Sequence, residues 1–296
     1  MAPPTAEIRA LRVSLAVNTV LSIAALALGL LLGIRVLVFD GAFGVIAMAT
    51  TWMALAASRK AVQDPTRRNP FGWPALVPLV VTVQGVAALA TLVIAAGDAV
   101  IVVLDGGQEV AVGVVAGYGV AIAVTSAVMA WWLGRTRTDL VRAEMLDWRS
   151  SAIRAAVVAV GAGIAGVLAL MSLDAALPFI DPALVLISCV LVAPLPISLV
   201  RSGVGELLEG APAPSTTAVV ENAVAEVTAE RGLTAPVVRA AKLGHRLYLE
   251  VIYHVEAGSW TIDQQDEIRQ DILARLGDLG LEVWPSIELT TDPSFD

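Results

Sequence analysis

Among the ionisable side chains in the apolar stretches of this 296-residue chain, four are best suited to chemistry. Glu144, Asp147 and Arg154 share one stretch, and Asp40 lies near the start of another. Carboxylates can hold a cation or an exchangeable proton, whereas a guanidinium stays charged. Ionisable groups inside a membrane span are costly and usually functional, so these four, together with Ser150 of the same stretch as Arg154, are candidate transport-path residues.

Arg154 is the most unusual of them, because it lies about ten residues inside its apolar stretch, or roughly 15 Å deep along a helix. Its expected partner is Asp147, two turns towards the cytoplasmic end on the same helix face, since helical side chains lean N-terminally. Asp40 is a second candidate. Two hypotheses stay open. The first is a fixed ion pair that holds two spans together. The second is a remodelled permeation site in which Asp147, Glu144 or Asp40 binds a cation or a proton.

The composition places these residues in a membrane protein. The chain is 57% hydrophobic and 16% charged, with a mean hydropathy of +0.78. A soluble fold of this size would lack the charge to cover its surface, because average domains carry roughly a quarter of charged residues. The single cysteine excludes a disulfide scaffold. The formal charge of −8 and the lack of a basic run argue against a nucleic-acid partner.

Six stretches have the length and apolar character of transmembrane helices, and the lipid bilayer is therefore the first expected partner. They are Val13–Ile34, Val36–Ala57, Ala75–Ala96, Val112–Leu133, Ala143–Met171 and Asp181–Val200. Basic residues gather at the N-terminus, in the loops after spans two and four, and after span six, with Arg35 as the exception. The positive-inside rule then predicts a multi-pass protein of the cell membrane with both termini in the cytoplasm.

The negative charge belongs to a separate C-terminal region. Residues 1–210 hold 13 basic and 13 acidic residues, whereas residues 211–296 hold 6 and 14. The breaker cluster GAPAP at 210–214 predicts a linker. We therefore expect a transmembrane domain over 1–209 and a cytoplasmic domain over 215–296.

The tail pattern predicts a small α+β domain of order αββαβ, ferredoxin-like in arrangement. A helix is expected at Ser215–Arg231, with Gly232 as its C-terminal cap, and a second helix opens with a Thr261–Gln264 capping box. The predicted strands are Val237–Leu243, Arg246–Glu256 and Leu281–Leu289. Pro285 indicates an edge or a kink in the last strand.

Other polar and aromatic residues of the spans have structural explanations. Asn18 and Gln84 are expected to form interhelical hydrogen bonds. Five tryptophans near span ends are expected to be interfacial anchors. These are Trp52, Trp73, Trp131, Trp132 and Trp148. The sequence contains neither a nucleotide-binding G-x-x-x-x-G-K-[ST] loop nor an H-E-x-x-H motif, so we do not expect an enzyme.

Five segments, in order and spacing, resemble the cation diffusion facilitator (cation efflux) family. They are GIRVLVFDG at 33–41, similar to an "ALLADA" entry into span two; NPFGW at 69–73, similar to "HPYGHG"; AEMLDW at 143–148, similar to a second "LLADA"; IDP at 180–182, similar to "LDP"; and ELLEGAP at 206–212, similar to "ELLDGAP". The resemblance implies proton-coupled metal transport, usually through four His or Asp ligands on spans two and five.

This chain departs from the family at all four ligand positions. The equivalent residues are Phe43 and Ala47 in span two and Ser150 and Arg154 in span five. Phe and Ala cannot ligate, Ser is a poor neutral ligand, and a guanidinium repels cations. None of the family's ligands is therefore carried over, and the chain is expected to be a divergent member. No cofactor is predicted, and a divalent cation is considered only as substrate.

The resemblance also implies that the tail mediates a homodimer and binds metal there. His254, Glu250 and Glu256 share one strand face by alternation, and Asp266 and Glu288 are further oxygen donors. One histidine with scattered carboxylates is a weak metal signal, and a solvated acidic face explains it better. Two functions remain open: a proton-coupled cation transporter with an altered site, or a transport-inactive relative with a structural or regulatory role, for example in a hetero-oligomer.

Overall fold

A computed structural model describes residues 4–32, 35–61, 63, 65–107, 112–170, 177–277, 279–292 and 294. The chain divides into two compact units. The helical unit combines Ala2–Asp64 with Leu79–Gly203, and the tail unit combines Pro65–Pro78 with Val204–Asp296.

Helices occupy most of the described part of each of the six predicted spans. They are α1 (Pro4–Leu32), α2 (Arg35–Ala61), α3 (Leu76–Leu104), α4 (Val112–Leu133), α5 (Asp139–Leu170), α6 (Leu177–Val192) and α7 (Pro194–Leu207). The sixth predicted span is divided, because a turn at Ala193 separates α6 from α7. By length and composition, three helical segments among the described residues can cross a membrane, namely Thr5–Leu31, Leu76–Leu104 and Pro178–Leu207. A shorter apolar helix spans Gly117–Leu133.

Small residues allow the helices of this unit to approach closely. The most extensive packing joins α1 to α2 and α4 to α5, followed by α5 and α6. A Cβ added at Gly44 of α2 would overlap the Ser22 side chain of α1, and one at Gly161 of α5 would overlap Leu184 of α6. Close approach of backbones at small residues is the usual way in which membrane helices pack.

The tail unit has the order αββαβ that the sequence predicts. Its elements are α8 (Pro214–Arg231), β1 (Val237–Leu243), β2 (Arg246–His254), α9 (Ile262–Leu276) and β3 (Glu282–Thr290). β2 is the central strand, antiparallel to β1 and parallel to β3. Buried side chains of α8 and α9 pack on Leu247, Leu249, Val251 and Tyr253, which alternate along β2 and so share one face.

The local signals of the tail are confirmed. Thr261 caps α9 in a reciprocal capping box with Gln264. Gly232 ends α8 in the left-handed conformation, with a φ of 63°. Pro285 lies in β3, which is an edge strand. Proline lacks the N–H that a central strand uses for hydrogen bonds to its neighbours, so an edge strand tolerates it. The second strand ends at His254 rather than Glu256, because the chain turns there.

Arg246 joins the loop at 65–78 to the sheet within the tail unit. Its side chain is 6% exposed and donates to the backbone carbonyl of Phe71 and, through Nε at 2.9 Å, to Glu282. The guanidinium also lies 4.2 Å from the ring centroid of Trp284. Trp284 in turn donates through Nε1 to Glu282 at 2.9 Å. A loop carbonyl, a carboxylate and an aromatic ring are therefore held by one buried cation.

Candidate functional site

Glu144 is the most enclosed carboxylate of the described helical unit, with an exposed fraction of 2%. Three other helices supply its hydrogen-bond partners. Ser14 of α1 donates to Oε1 at 2.6 Å, and Thr51 of α2 lies 2.9 Å from the same oxygen. Gln84 of α3 donates through Nε2 to Oε2 at 3.4 Å. The interhelical hydrogen bond expected of Gln84 is thus confirmed, and α1, α2, α3 and α5 meet at one acidic group.

Trp148 extends this network and corrects a prediction. Its Nε1 donates to Ser14 Oγ at 2.6 Å, and the side chain is only 5% exposed. The expectation that Trp148 is an interfacial anchor is therefore wrong, because its indole N–H is used inside the bundle. Trp52 and Trp131 are 63% and 66% exposed, and Arg135 stacks over the Trp131 ring at 4.0 Å. These two have the exposure that an interfacial anchor needs.

A cavity of about 120 Å³ lies beside Glu144 and collects most of the residues singled out in the sequence. Side chains from α1 to α5 and from α7 line it. They include Glu144 and Asp147, together with Ala47, Ser150 and Arg154, which are three of the four positions that the resemblance led us to compare with the family's ligands. Phe43 and Asp40 belong to α2, but their side chains lie outside the described part of the structure. One cavity therefore holds both the substituted positions and two carboxylates.

Arg154 and Ser150 use their polar atoms on their own helix. Arg154 donates through Nη2 to Ser151 Oγ at 2.9 Å, and Ser150 donates to the carbonyl of Leu146 at 2.9 Å. The described contacts include no direct ion pair between Arg154 and Asp147, although both residues line the same cavity. Arg154 therefore places a positive charge beside the cavity without forming the contact pair expected with Asp147.

Two buried oxygen atoms of this cavity have no hydrogen-bond partner among the described residues. They are Gln84 Oε1 and Ser126 Oγ, in side chains that are 9% and 1% exposed. A buried polar atom without a partner is costly and calls for a water molecule or an ion. The residues that line the cavity thus include two unused oxygen acceptors as well as two carboxylates, and oxygen donors of this kind suit hydrated or oxygen-coordinated cations.

The tail candidates for metal binding are distributed over different surfaces. His254 and Glu288 lie on neighbouring strands, where their positions in the register are two residues apart on one sheet face. Asp266 lies on α9, which packs on the opposite face, and it is paired with Arg269 at 2.5 Å. Glu250 is paired with Arg239 at 2.9 Å. Among the described residues, no three His, Cys, Asp or Glu side chains are grouped as metal ligands.

Comparison with known families decides what kind of protein this is. A sequence model of the cation efflux transmembrane domain matches residues 11–208. The chain belongs to the cation efflux family. The resemblance seen in the five segments is thereby confirmed, and the cation efflux family consists of multi-pass membrane transporters rather than enzymes. No curated protein matches the chain.

Ser14 and Thr51 are members of this cation efflux protein's network that the sequence did not single out, and Trp148 was named there only as an interfacial anchor. Serine and threonine are common in membrane helices, so nothing distinguishes Ser14 or Thr51 from other hydroxyls. The useful signal was Trp148. A tryptophan on the same helix as Glu144 and Asp147 carries an N–H that needs an acceptor when it is buried.

Proposed function

We propose that this chain is an integral membrane cation transporter that works by proton-coupled secondary transport, with a cation site altered from the family's usual one. The cavity of the helical unit carries this proposal. It brings Glu144 and Asp147 together with Ala47, Ser150 and Arg154, three of the positions at which relatives are expected to hold metal. Family membership supports cation transport, and the cavity supplies carboxylates that could bind a cation or a proton in place of the missing ligands.

The membrane arrangement is proposed from the charge pattern. Six spans within residues 1–209 would place both termini in the cytoplasm of a cell-membrane protein, since basic residues concentrate in the loops on that side. Residues 210–214 would link them to a ferredoxin-like cytoplasmic domain over 215–296. A homodimer through this domain, as the family resemblance implies, completes the proposal.

The donor set of the cavity favours oxygen coordination. Glu144, Asp147, Gln84 and Ser126 offer oxygens, and the described cavity wall contains no histidine or cysteine. Oxygen ligands suit hard cations such as Mg²⁺, Mn²⁺, Ca²⁺ or a monovalent ion better than they suit Zn²⁺. Arg154 adds one positive charge, and two unit charges about 4 Å apart interact at several kcal/mol in an intermediate dielectric. A cation of lower charge is therefore better tolerated beside Arg154.

A second function is favoured by a specific observation. The described residues contain no group of three metal-ligating side chains, and an arginine occupies one former ligand position. A transport-inactive relative with a structural or regulatory role in a membrane oligomer would need no such ligands. The experiment below distinguishes this transport-inactive relative from a transporter.

Proteoliposomes loaded with a pH-sensitive dye distinguish the two functions. Under the transport proposal, at least one ion from a panel of Zn²⁺, Mn²⁺, Fe²⁺, Co²⁺, Ni²⁺, Cd²⁺, Mg²⁺, Na⁺ and K⁺ drives proton flux above that of protein-free vesicles. The control is the Glu144→Gln, Asp147→Asn double variant, which keeps similar side-chain volumes but removes both charges. Absence of flux for every ion would contradict transport and favour the inactive relative.

Arg154→Ala separates a path-lining arginine from a structural one. If Arg154 tunes the cavity's charge, the variant changes the rate of flux or the order of ion preference while melting near the wild-type temperature. If Arg154 only holds helices together, the melting temperature falls and the ion preference of the remaining folded protein is unchanged. Arg149→Ala is a suitable control, because Arg149 is an exposed arginine of the same helix.

A further inference from the structure

Glu144 lies in the middle of an unbroken chain of hydrogen-bonding groups. Trp148 Nε1 lies 2.6 Å from Ser14 Oγ, which lies 2.6 Å from Glu144 Oε1. Thr51 Oγ1 lies 2.9 Å from the same Oε1 and also 2.9 Å from the carbonyl oxygen of Ala47. The indole N–H at one end can only donate, and the carbonyl at the other end can only accept.

Counting protons along this chain shows that Glu144 has two satisfied states. Each hydroxyl carries one proton. Since Trp148 donates to Ser14, the proton of Ser14 is directed to Glu144 Oε1. When Oε1 is protonated, it donates to Thr51, and Thr51 donates to the Ala47 carbonyl. When Glu144 is ionised, the Thr51 hydroxyl turns and donates to Oε1 instead, while Ala47 keeps its helical hydrogen bond.

The charges around Glu144 do not fix it in either state. Its partners on α1, α2 and α3 are the neutral side chains of Ser14, Thr51 and Gln84. Among the described residues that line the cavity, the charged groups are Glu144, Asp147 and Arg154, all on α5. Asp147 is the nearer charge and is of the same sign. No cation is therefore found among the described hydrogen-bond partners of Glu144, and the Thr51 hydroxyl can donate to its ionised form or accept from its protonated form.

We propose that Glu144 is the proton-binding site of the transport cycle, and this proposal rests on the function proposed above. In the loaded state the proton resides on Oε1. On release, the O–H bond breaks, the carboxylate keeps the electron pair, and a water molecule in the cavity accepts the proton. The Thr51 hydroxyl turns from Ala47 to Oε1 in the same step. The unused acceptors Gln84 Oε1 and Ser126 Oγ give that water a place to bind.

Infrared difference spectroscopy tests this directly, using the full-length protein in lipid nanodiscs. A protonated carboxyl has a C=O stretching band that a carboxylate lacks, and ordinary carboxyls stay ionised above about pH 6. The band followed here is therefore the one that grows as the pH falls from about 8 to about 6, where a titrating Glu144 produces it. Glu144→Gln is expected to abolish this band, because the amide cannot titrate but can still hydrogen-bond to Ser14 and Thr51. Asp147→Asn serves as the matched comparison and is expected to retain it.

The Thr51 hydroxyl gives a second readout. Thr51→Val removes a donor to the ionised form, and hydrogen bonds to charged groups are stronger than neutral ones. The midpoint of the band's titration is therefore expected to move upward by about one pH unit. Thr51→Ser keeps the hydroxyl and restores the wild-type midpoint. Thr50→Val is the control, because Thr50 donates to the same Ala47 carbonyl at 2.9 Å but makes no described contact with Glu144.

The proposal is overturned if the band persists in Glu144→Gln, if Asp147→Asn alone removes it, or if the wild-type spectrum does not change with pH while the protein stays folded. Because the titration requires no transport, it separates the two claims. Absence of flux with a titrating Glu144 contradicts the proposed function. Cation-driven proton flux that survives in Glu144→Gln contradicts the assignment of the proton to this residue.

Discussion

Two glutamates, one in each unit, are held in contrasting ways. Glu144 in the helical unit is buried and receives hydrogen bonds from hydroxyl and amide groups that carry no charge. Glu282 in the tail unit is bound by the Arg246 guanidinium and by the Trp284 indole N–H, both at 2.9 Å. Its side chain is 41% exposed.

This difference separates a fixed charge from a changeable one. Hydrogen bonding by Trp284 and Arg246 holds the pKa of Glu282 below its usual range, so the carboxylate stays ionised and keeps Arg246 in place. Glu144 has no cationic partner among its described hydrogen bonds, and the Thr51 hydroxyl can donate to its ionised form or accept from its protonated form. The tail glutamate is suited to holding structure, and the bundle glutamate is suited to exchanging a proton.

The largest expected effect is on transport. Glu144→Gln should reduce cation-driven proton flux to the level of protein-free vesicles, because the exchanged proton has no site. Glu282→Gln is the comparison variant and should leave the flux measurable. Dye-loaded proteoliposomes with equal amounts of each protein provide the measurement. Equal flux loss in both variants would contradict the contrast between the two glutamates.

Loss of the tail's buried cation should cause the largest change in stability. Arg246→Ala removes hydrogen bonds to Phe71 and Glu282 and the contact with Trp284, and is expected to cost about 2–3 kcal/mol. The melting temperature of the full chain in detergent should fall by several degrees. Arg239→Ala is the matched control, because the Arg239–Glu250 pair is exposed on both sides and is worth roughly 0–1 kcal/mol. Similar melting of the two variants would contradict the assigned role of Arg246.

Close packing of α1 on α2 also matters for the site, because these helices bring both Ser14 and Thr51 within hydrogen-bond distance of Glu144 Oε1. Gly44→Ala places a Cβ within 2.8 Å of Ser22 Cβ and should destabilise the helical unit by about 1–3 kcal/mol. Gly97→Ala has open space around it and should be neutral or stabilising in the helix. Thermal denaturation in detergent compares them. Equal stability of both variants would show that the helices are not closely packed at Gly44.

The smallest effect concerns acid stability of the tail. The pKa of Glu282 is lower in the folded protein than its ordinary value of 4.5. The ionised carboxylate therefore contributes to the free energy of unfolding above pH 4.5, and this contribution is lost as the pH falls through the pKa of the folded state. Exposure limits this contribution to less than about 1 kcal/mol. Denaturation measured at neutral pH and at successively lower pH should show a smaller acid-induced loss in Glu282→Gln than in wild type. A larger acid-induced loss of stability in Glu282→Gln than in wild type would contradict the lowered pKa of Glu282.

The tail could be predicted closely because its signals are local. The capping box joins Thr261 to a residue three positions away, and Gly232 ends its helix with its own backbone conformation. Pro285 identifies an edge strand because proline lacks the donor that a central strand needs. Neighbouring residues decide each of these features, so the pattern in the sequence is sufficient.

The bundle site depends instead on distant contacts. Ser14 and Thr51 lie 130 and 93 residues from Glu144 in the chain, so no spacing in the sequence relates them. Position near a span end predicted an interfacial Trp148, but position along a helix does not determine which face is buried. For Arg154, a shared helix face predicted Asp147 as partner, yet the nearer Ser151 accepts its hydrogen bond.

Proton release on cation binding tests the central claim most directly. The full-length protein is placed in weakly buffered detergent solution at a pH below the midpoint of the infrared titration, with an indicator dye. The cation that drives the largest flux is then added. Since a cation and a proton compete for the same carboxylate, wild-type protein should release about one proton per bound cation, and Glu144→Gln should release none. Cation binding without proton release in wild type, or equal release from Glu144→Gln, would contradict the account.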